Sequence, residues 1–463
     1  MDNVTHSIAG LVLAECAVRL RAHRAGVEPS TRFRSFAALS STIAANLPDF
    51  DLLYTGTGAN KLAYMLHHRG YTHTVIIAVI GAVLLWGVAL LMWRWRARVA
   101  PPRTDAHWLF GLLLVSTLGH LALDWTNSYG VHLFWPLDNR WSYGDAVFIV
   151  EPWFWAIAVP MLVASSTNRI ARVLLSLTLL IGLVLAWRVS LVSLGAATLL
   201  SIGAAASIVL ARVLRPGARA TFAVAGWMVV TLIMTAGSRV AREAAARSAR
   251  AASRAVELLD VVVTPLPANA VCLSVITVER SDSTYRVTSA RVSAAPWITD
   301  ASECGARGAR GPLFRASTRT STPSVRWDSE WTASDDALAM LASESCPALA
   351  ALRFIRVPVW SAASDSAVAL GDARYGGGSG RGFSDVVVPR RTSVCPTNVP
   401  PWIPPRADLL GIVLSRRPSS GGAADVSGVN LRPTIPEPSA REYSLDSAGR
   451  VRAIPPTDRR HPV

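Results

Sequence analysis

The chain has 463 residues, of which 51% are hydrophobic and 17% charged, and its mean hydropathy is +0.33. That balance excludes an ordinary soluble protein of this length. The formal net charge of +15 comes almost wholly from arginine, Lys61 being the only lysine. These arginines sit at the ends of apolar runs and in the C-terminal tail, with no basic groove interleaved with stacking aromatics, so a nucleic-acid partner is excluded as well.

Taken in chain order, Met1–Ser7 carries Asp2 and neither Lys nor Arg, which does not read as the basic start of a cleaved signal peptide. Two short apolar stretches follow, Ile8–Leu20, interrupted by Glu15, and Phe36–Leu47. They are too short to span a bilayer upright and are expected as half-buried or re-entrant helices. Glu15 pairs most simply with Arg19, its i+4 neighbour. Six longer runs, His73–Trp93, Trp108–Leu123, Val147–Ala164, Ile170–Trp187, Val189–Ala211 and Thr221–Gly237, approach the roughly 20 residues that a spanning helix needs. The third contains Glu151.

The loops give the orientation. Arg19, Arg21, Arg24, Arg32 and Arg34 lie between the two short helices, Arg94, Arg96, Arg98 and Arg103 after the first long run, Arg169 and Arg172 in the next loop on that side, and Arg212, Arg215 and Arg219 in the last. Alternation puts all four loops on one face, which the positive-inside rule makes cytoplasmic. The opposite loops, 49–72 and 124–146, carry Lys61, Arg69 and Arg140 as their basic residues. Against this, Arg239, Arg242, Arg247, Arg250 and Arg254 fall outside; a large following domain can translocate despite such charge.

From about Asp260 the pattern changes to strands. Val275–Val278 and Tyr285–Val292 read as a hairpin turning near Arg280, Ser281 and Asp282, and Leu352–Trp360 and Ala367–Leu370 as a second pair. Cys272, Cys304, Cys346 and Cys395 fall here, and only Cys16 lies in the apolar half. In an exported domain four cysteines allow two disulfides in three connectivities; the alternative is four unrelated buried thiols. From Thr397 onward Pro, Arg, Ser and Gly predominate, as in a disordered tail. The fold class is therefore an all-α polytopic membrane domain of about six spans and two short N-terminal helices, then a small β-rich soluble domain and a tail. The boundaries fall at 1–155 for a metal-site membrane domain, 156–259 for additional spans, 260–395 for the β-rich extracytoplasmic domain and 396–463 for the tail.

On this topology His6, Asp49, Asp51, His67, His68, His73, His120 and Asp124 all lie at helix ends, on the face away from the Arg loops. Ionisable groups at the edge of a bilayer are costly unless paired, hydrated or metal-bound. His120 and Asp124, spaced i, i+4, share a helix face. Imidazole with carboxylate suits zinc and some other divalent metals, manganese among them. Gly70 lets the His67–His73 loop bend, and Pro48 stops its helix so that Asp49 turns inward. Each element alone has a plainer reading: a hydrogen-bonded His120–Asp124 pair, or Asp49 and Asp51 in water.

At these residues the chain resembles the bacterial inner-membrane, metal-dependent hydrolase family, LexA-regulated and YdjM-like. The motifs are Thr5-His6-Ser7-Ile8-Ala9-Gly10, Asn46-Leu47-Pro48-Asp49, His68-Arg69-Gly70-Tyr71-Thr72-His73 and Gly119-His120-Leu121-Ala122-Leu123-Asp124. The resemblance covers roughly residues 1–155, and Gly371-Asp372-Ala373-Arg374-Tyr375 extends it to longer members. A more distant similarity, to zinc-dependent phospholipase C and related zinc nucleases, implies phosphoester hydrolysis by metal-activated water. Those enzymes use a later His-x-x-x-Glu pair that this chain lacks; His132 and Glu151 are the nearest groups, so one or two metals are expected.

The expected ligands are thus His6, Asp49, His68, His73, His120 and Asp124, with Asp51 or Glu151 as general base or orienting group and Arg69 as partner to a phosphate or, alternatively, to Asp49 or Asp51. Trp125, Tyr129, Phe134, Trp135, Trp141, Tyr143 and Trp153 suit an interfacial belt or a groove for a membrane lipid or lipid-linked substrate. A metal-stabilised, non-catalytic scaffold is the rival class. A transporter fits less well, because the chain shows no internal repeat and the polar groups avoid the midplane.

Overall fold

A computed structural model describes residues 1–55, 61–252, 256–305 and 313–411, together with two short paired strands, β9 (Tyr443–Leu445) and β10 (Val451–Ala453). Helix α1 (Asn3–Ala25) is capped by Asp2, whose carboxylate accepts from the Thr5 amide, and ends where Gly26 takes a left-handed conformation. Its 23 residues make it longer than the stretch expected, because it runs on through the polar turns Asn3–Ser7 and Arg21–Ala25, and the Glu15–Arg19 pair forms at 2.7 Å. Helix α2 (Thr31–Ala44) packs against α1 at Gly10, where an added Cβ would lie 2.8 Å from the Ser41 carbonyl oxygen. The Ser41 hydroxyl bonds the Gly10 carbonyl at 2.7 Å and lies 2.8 Å from the Ser116 hydroxyl, tying three helices together at one level.

A 3-10 turn at Pro48–Asp51 leads through the short helices α3 (Leu52–Thr55) and α4 (Lys61–His67) to a second 3-10 turn, Tyr71–His73. Then come α5 (Val75–Ala97), α6 (Arg103–Trp125), α7 (Pro152–Ser165), α8 (Arg169–Arg188), α9 (Leu194–Val213) and α10 (Pro216–Ala252). Five of these, α5, α6, α8, α9 and α10, are long and apolar enough to cross a membrane. Leu84, Leu91, Ile170 and Leu199 are exposed on them, the arrangement expected of a lipid-facing surface.

The expectation of a full span at Val147–Ala164 is corrected. Helix α7 starts only at Pro152, and Glu151 is its N-cap. Fourteen residues rise about 21 Å, short of the roughly 30 Å hydrocarbon core. Its Phe154, Ala156, Ala158 and Val159 are fully buried among neighbouring helices, as befits a core helix. The last span also differs: α10 runs on without a break to Ala252, so Arg239 to Arg250 lie on one helix, and Arg254 is outside the described residues.

The far end of α10 lays Ala241, Ala244, Ala245 and Ala249 on a five-stranded antiparallel sheet ordered β1 (Glu257–Leu266), β2 (Asn269–Ser281), β3 (Thr284–Ser293), β5 (Val325–Ser334), β4 (Arg315–Ala316). The expected hairpin is there, with Arg280 opposite Tyr285 and Asp282 in the left-handed region. The sheet's other face, with Val262, Ile276, Val278, Tyr285, Val287 and Trp331, joins one core with α11 (Ala337–Glu344), α12 (Cys346–Leu352) and a second sheet of β6 (Pro358–Ser364), β7 (Ala367–Asp372) and β8 (Val386–Pro389). That core includes Met65, Tyr129 and Trp141 of the membrane-side loops, so the β-rich domain docks on the same face as the His and Asp residues.

Disulfides join Cys272 to Cys304 and Cys346 to Cys395, selecting one of the three connectivities; among the described residues Cys16 is the free cysteine. The tail boundary moves too. Trp402 is buried and donates from its indole to the Leu66 carbonyl at 2.8 Å, and Ala407, Leu409 and Leu410 are buried. Residues 397–411 are therefore part of the fold. Beyond Gly411 nearly all of the expected tail lies outside the described residues.

Candidate metal centre

Four chain segments deliver the site. His6 comes one turn into α1, Asp49 and Asp51 from the 3-10 turn that Pro48 opens after α2, His68 and His73 from the loop before α5, and His120 and Asp124 from the last turns of α6. Two overlapping groups result, with ligand atoms close enough to share an ion: Asp49, His73, His120 and Asp124, and Asp49, Asp51 and His68. Asp49 belongs to both. His6 lies beside the first, its Nε2 3.2 Å from Asp124 Oδ1 and its ring stacked on His120 at 3.7 Å.

The tautomers follow from the partners. His120 Nδ1 lies 2.7 Å from the Ala45 carbonyl oxygen, so it carries the proton and leaves the Nε2 lone pair free. Thr72 donates its hydroxyl to Asp51 Oδ2 and so accepts from His73 Nδ1, both at 3.0 Å, which frees His73 Nε2 in the same way. The two freed nitrogens face each other at 3.1 Å, with Asp124 Oδ2 3.2 Å from one and 3.5 Å from the other. Asp49 Oδ1 stands 3.4 and 3.7 Å from the same pair. Two lone pairs and two carboxylates converging in a buried space repel one another unless a cation lies between them, and the donor set fits a divalent metal ion. The cluster can hold one.

Asp51 is the hub of the second group. Its Oδ1 accepts from His68 Nδ1 at 3.0 Å, and its Oδ2 from the Arg69 amide at 2.9 Å and from Thr72. Both of its oxygens are thus engaged by neighbouring donors. Burial alone would raise the carboxyls of Asp49 and Asp51, but hydrogen bonding with His73, joined at Asp51 by His68, holds both well below the ordinary carboxylate range. Burial lowers His68 despite Asp51, which favours the neutral, ligating imidazole.

Arg69 sits in the left-handed region at φ 60° and is almost wholly buried. Its Nε lies 2.9 Å from Asp124 Oδ2, its guanidinium also reaches Asn127 and the Met1 carbonyl, and it stacks over the Tyr129 ring. The carboxylate paired with its side chain is therefore Asp124, while Asp49 and Asp51, the partners expected, are occupied by histidines. The Met1 amino group also contacts Asp124.

Glu151 is not brought to the cluster. Its two oxygens accept from the amides of Trp153, in α7, and Ala268, in the β1–β2 turn, at 3.2 Å each. Its role as a base is corrected to a cap that fastens the β-rich domain to the bundle. Burial pushes its carboxyl up to about 8. His132 is likewise apart, between Trp141 and Trp402, with burial holding it down at about 3. Of the adjacent histidines His68 joins the cluster, and His67 turns toward Tyr54.

Two other participants, Asn3 and Ala45, carried no signal in the sequence. Asn3 donates to Asp49 Oδ2 at 2.9 Å, and Ala45 acts through its carbonyl alone. Tyr375, from the β-rich domain, faces Tyr129, and the hydroxyls of both are buried without a partner. The Asp372–Arg374 pair that precedes Tyr375 reaches the Ser128 carbonyl and so holds this wall against the bundle.

The arrangement defines a class: a helical membrane protein whose polar centre lies at the helix ends, beneath a soluble domain. Residues 1–194 match the model of the YdjM inner membrane protein family, and the match covers every expected ligand. The match, over less than half of the chain, and the apolar helices together suggest an inner-membrane protein. The chain is also 25% identical over 142 residues to the uncharacterized protein YfhP of Bacillus subtilis (strain 168), a stretch covering 30% of this chain and 39% of that protein. The chain thus spans well under half the length of that curated relative. No solved structure matches it.

Proposed function

We propose that this protein is a membrane-bound, metal-dependent hydrolase of a phosphoester in a lipid or lipid-linked substrate. The observation that carries the reading is the pair of ligand groups sharing Asp49, each imidazole fixed by a hydrogen bond at its other nitrogen. A divalent ion held there, zinc or manganese, supplies Lewis acidity and water activated near neutral pH.

The protein's own contribution is orientation and exclusion. Asp51 sets the rings of His68 and His73, and Ala45 sets His120. His6, His73, His120, Asp51 and Asp124 are shut off from bulk water, whereas Asp49 and His68 keep a small exposed area, so water approaches from their side. Arg69, held by Asp124, stands behind the site as a fixed positive charge that favours developing negative charge on a phosphoryl group. The two disulfides and the Arg-rich loops at the opposite helix ends support a periplasmic position for the site and the β-rich domain.

The near-complete burial of the first group favours a second reading, a metal-stabilised scaffold without turnover. Elemental analysis of detergent-purified protein beside His120→Ala, with phospholipid hydrolysis assayed on both, separates the two. Bound metal and turnover, both lost in the variant, support the hydrolase. Metal with no turnover on any phospholipid leaves the scaffold, and native protein that takes up no metal removes both.

A further inference from the structure

A groove of about 380 Å³ enters the bundle between α1, α6 and α10 and ends on the imidazoles of His6 and His120. Its volume lies within the roughly 300–1,000 Å³ of sites that hold a small ligand. Apart from those rings and Ser116 and Thr231, whose hydroxyls are spent on carbonyls of their own helices, its walls are apolar, formed by such residues as Leu13, Leu123, Val224, Met228 and Leu232. Met228 and Leu232 are more than half exposed, on the outer side of a helix long and apolar enough to cross a membrane, so the groove opens toward lipid. Gly119 keeps it open: a Cβ there would meet one atom, of Leu13, at 3.9 Å. At the inner end His6 is fully buried, its Nε2 on Asp124 and its Nδ1 without a partner.

We propose that this groove is a binding site for one alkyl chain of a bilayer lipid, entered sideways from the membrane, with the lipid's polar end at His6. The inference rests on the hydrolase reading for its purpose and on the groove for its existence. An alkyl chain is the occupant because the walls offer it dispersion contacts and almost no free polar group until His6, whose Nε2 donates to Asp124 and whose open Nδ1 lone pair can accept from a headgroup hydroxyl or ammonium. Solvent reaches the cluster from the other side, past Asp49 and His68, so lipid and water arrive by separate routes.

The test is photolabelling of the full chain, in vesicles of phosphatidylethanolamine and phosphatidylglycerol, by a phosphatidylglycerol with a diazirine in its acyl chain. Metal content is measured in parallel. Label should concentrate on residues 9–13, 116–123 and 224–232 and fall severalfold in Gly119→Leu and in Thr231→Trp, which fill the groove, with metal content unchanged. Label spread evenly over the outer faces of α5 and α8, groove label that persists in both variants, or crosslinks joining two copies at the groove would each overturn the proposal. Groove labelling in protein that holds no metal would sink the hydrolase reading and leave the alkyl-chain site standing.

Discussion

Two regions of this molecule bury several charges each, and they do it differently. Where the β-rich domain meets the bundle, Arg356 lies between Asp145 and Asp260, Arg242 also reaches Asp145, and Arg374 clasps Asp372. Every carboxylate there has a guanidinium, so the network is electrostatically closed. In the cluster beneath it, Asp49, Asp51 and Asp124 face imidazoles whose free lone pairs point at one another, and Arg69 is the guanidinium among them. The first arrangement is complete as folded; the second could hold a metal ion. A count of buried charges would rank them alike, whereas the direction of the lone pairs tells an anchor from a site.

The sharpest way to break this contrast is at the shared ligand. Asp49→Ala removes a donor from both groups, so metal content and any turnover should fall to background, while Arg356→Ala should leave the metal in place. Metal retained in Asp49→Ala would mean that the groups do not share an ion. Arg356→Ala in turn takes the guanidinium from Asp260 and leaves Asp145 with Arg242 alone, and a cost of about 3–5 kcal/mol is expected in chemical unfolding of the β-rich domain; a loss under about 1 kcal/mol would show the network to be solvated in solution.

Glu151 tests the same boundary through pH. Its carboxyl is raised from 4.5 to about 8 in the fold, so the fold keeps a proton that the unfolded chain releases. Its contribution to stability is full below about 4.5 and is lost as pH rises through about 8. Denaturation midpoints should therefore decline between pH 5 and 8 in the native protein by the equivalent of a few kcal/mol, and stay flatter in Glu151→Gln. Equal slopes in the two proteins would place the titration elsewhere. The smallest effect belongs to Asp51→Asn, which keeps the shape and weakens the orientation of His68 and His73: metal affinity should drop roughly 10–100-fold with the fold unchanged. An unchanged affinity would remove Asp51 from the site's support.

Much of the bundle could be read from the sequence because lipid demands it. Long apolar runs between arginine clusters mark α5, α6, α8, α9 and α10, and the ionisable residues at their opposite ends stand out because such groups are costly there. The two exceptions have physical reasons. The apolar run Ile8–Leu20 understated α1, since hydropathy does not register its polar first and last turns, and Glu151 looked like part of a span when its carboxylate caps one. In the β-rich domain the alternation of β2 and β3 was legible, but Thr397 onward was not, because a Pro-rich segment anchored by Trp402 has the composition of a tail.

The sequence by itself marked the residues that could make the centre: His6, Asp49, His68, His73, His120 and Asp124 sit in short motifs at helix ends, and all but His6 fall in the two groups that could hold an ion. Only the tertiary structure decided their roles. Whether Arg69 binds Asp51 or Asp124, whether Glu151 is a base or a cap, and how Cys272, Cys304, Cys346 and Cys395 pair all depend on distances between segments far apart in the chain. Such distances are set by packing across the whole core, through contacts such as Gly10 on Ser41 and Trp402 on Leu66, and no local pattern encodes them.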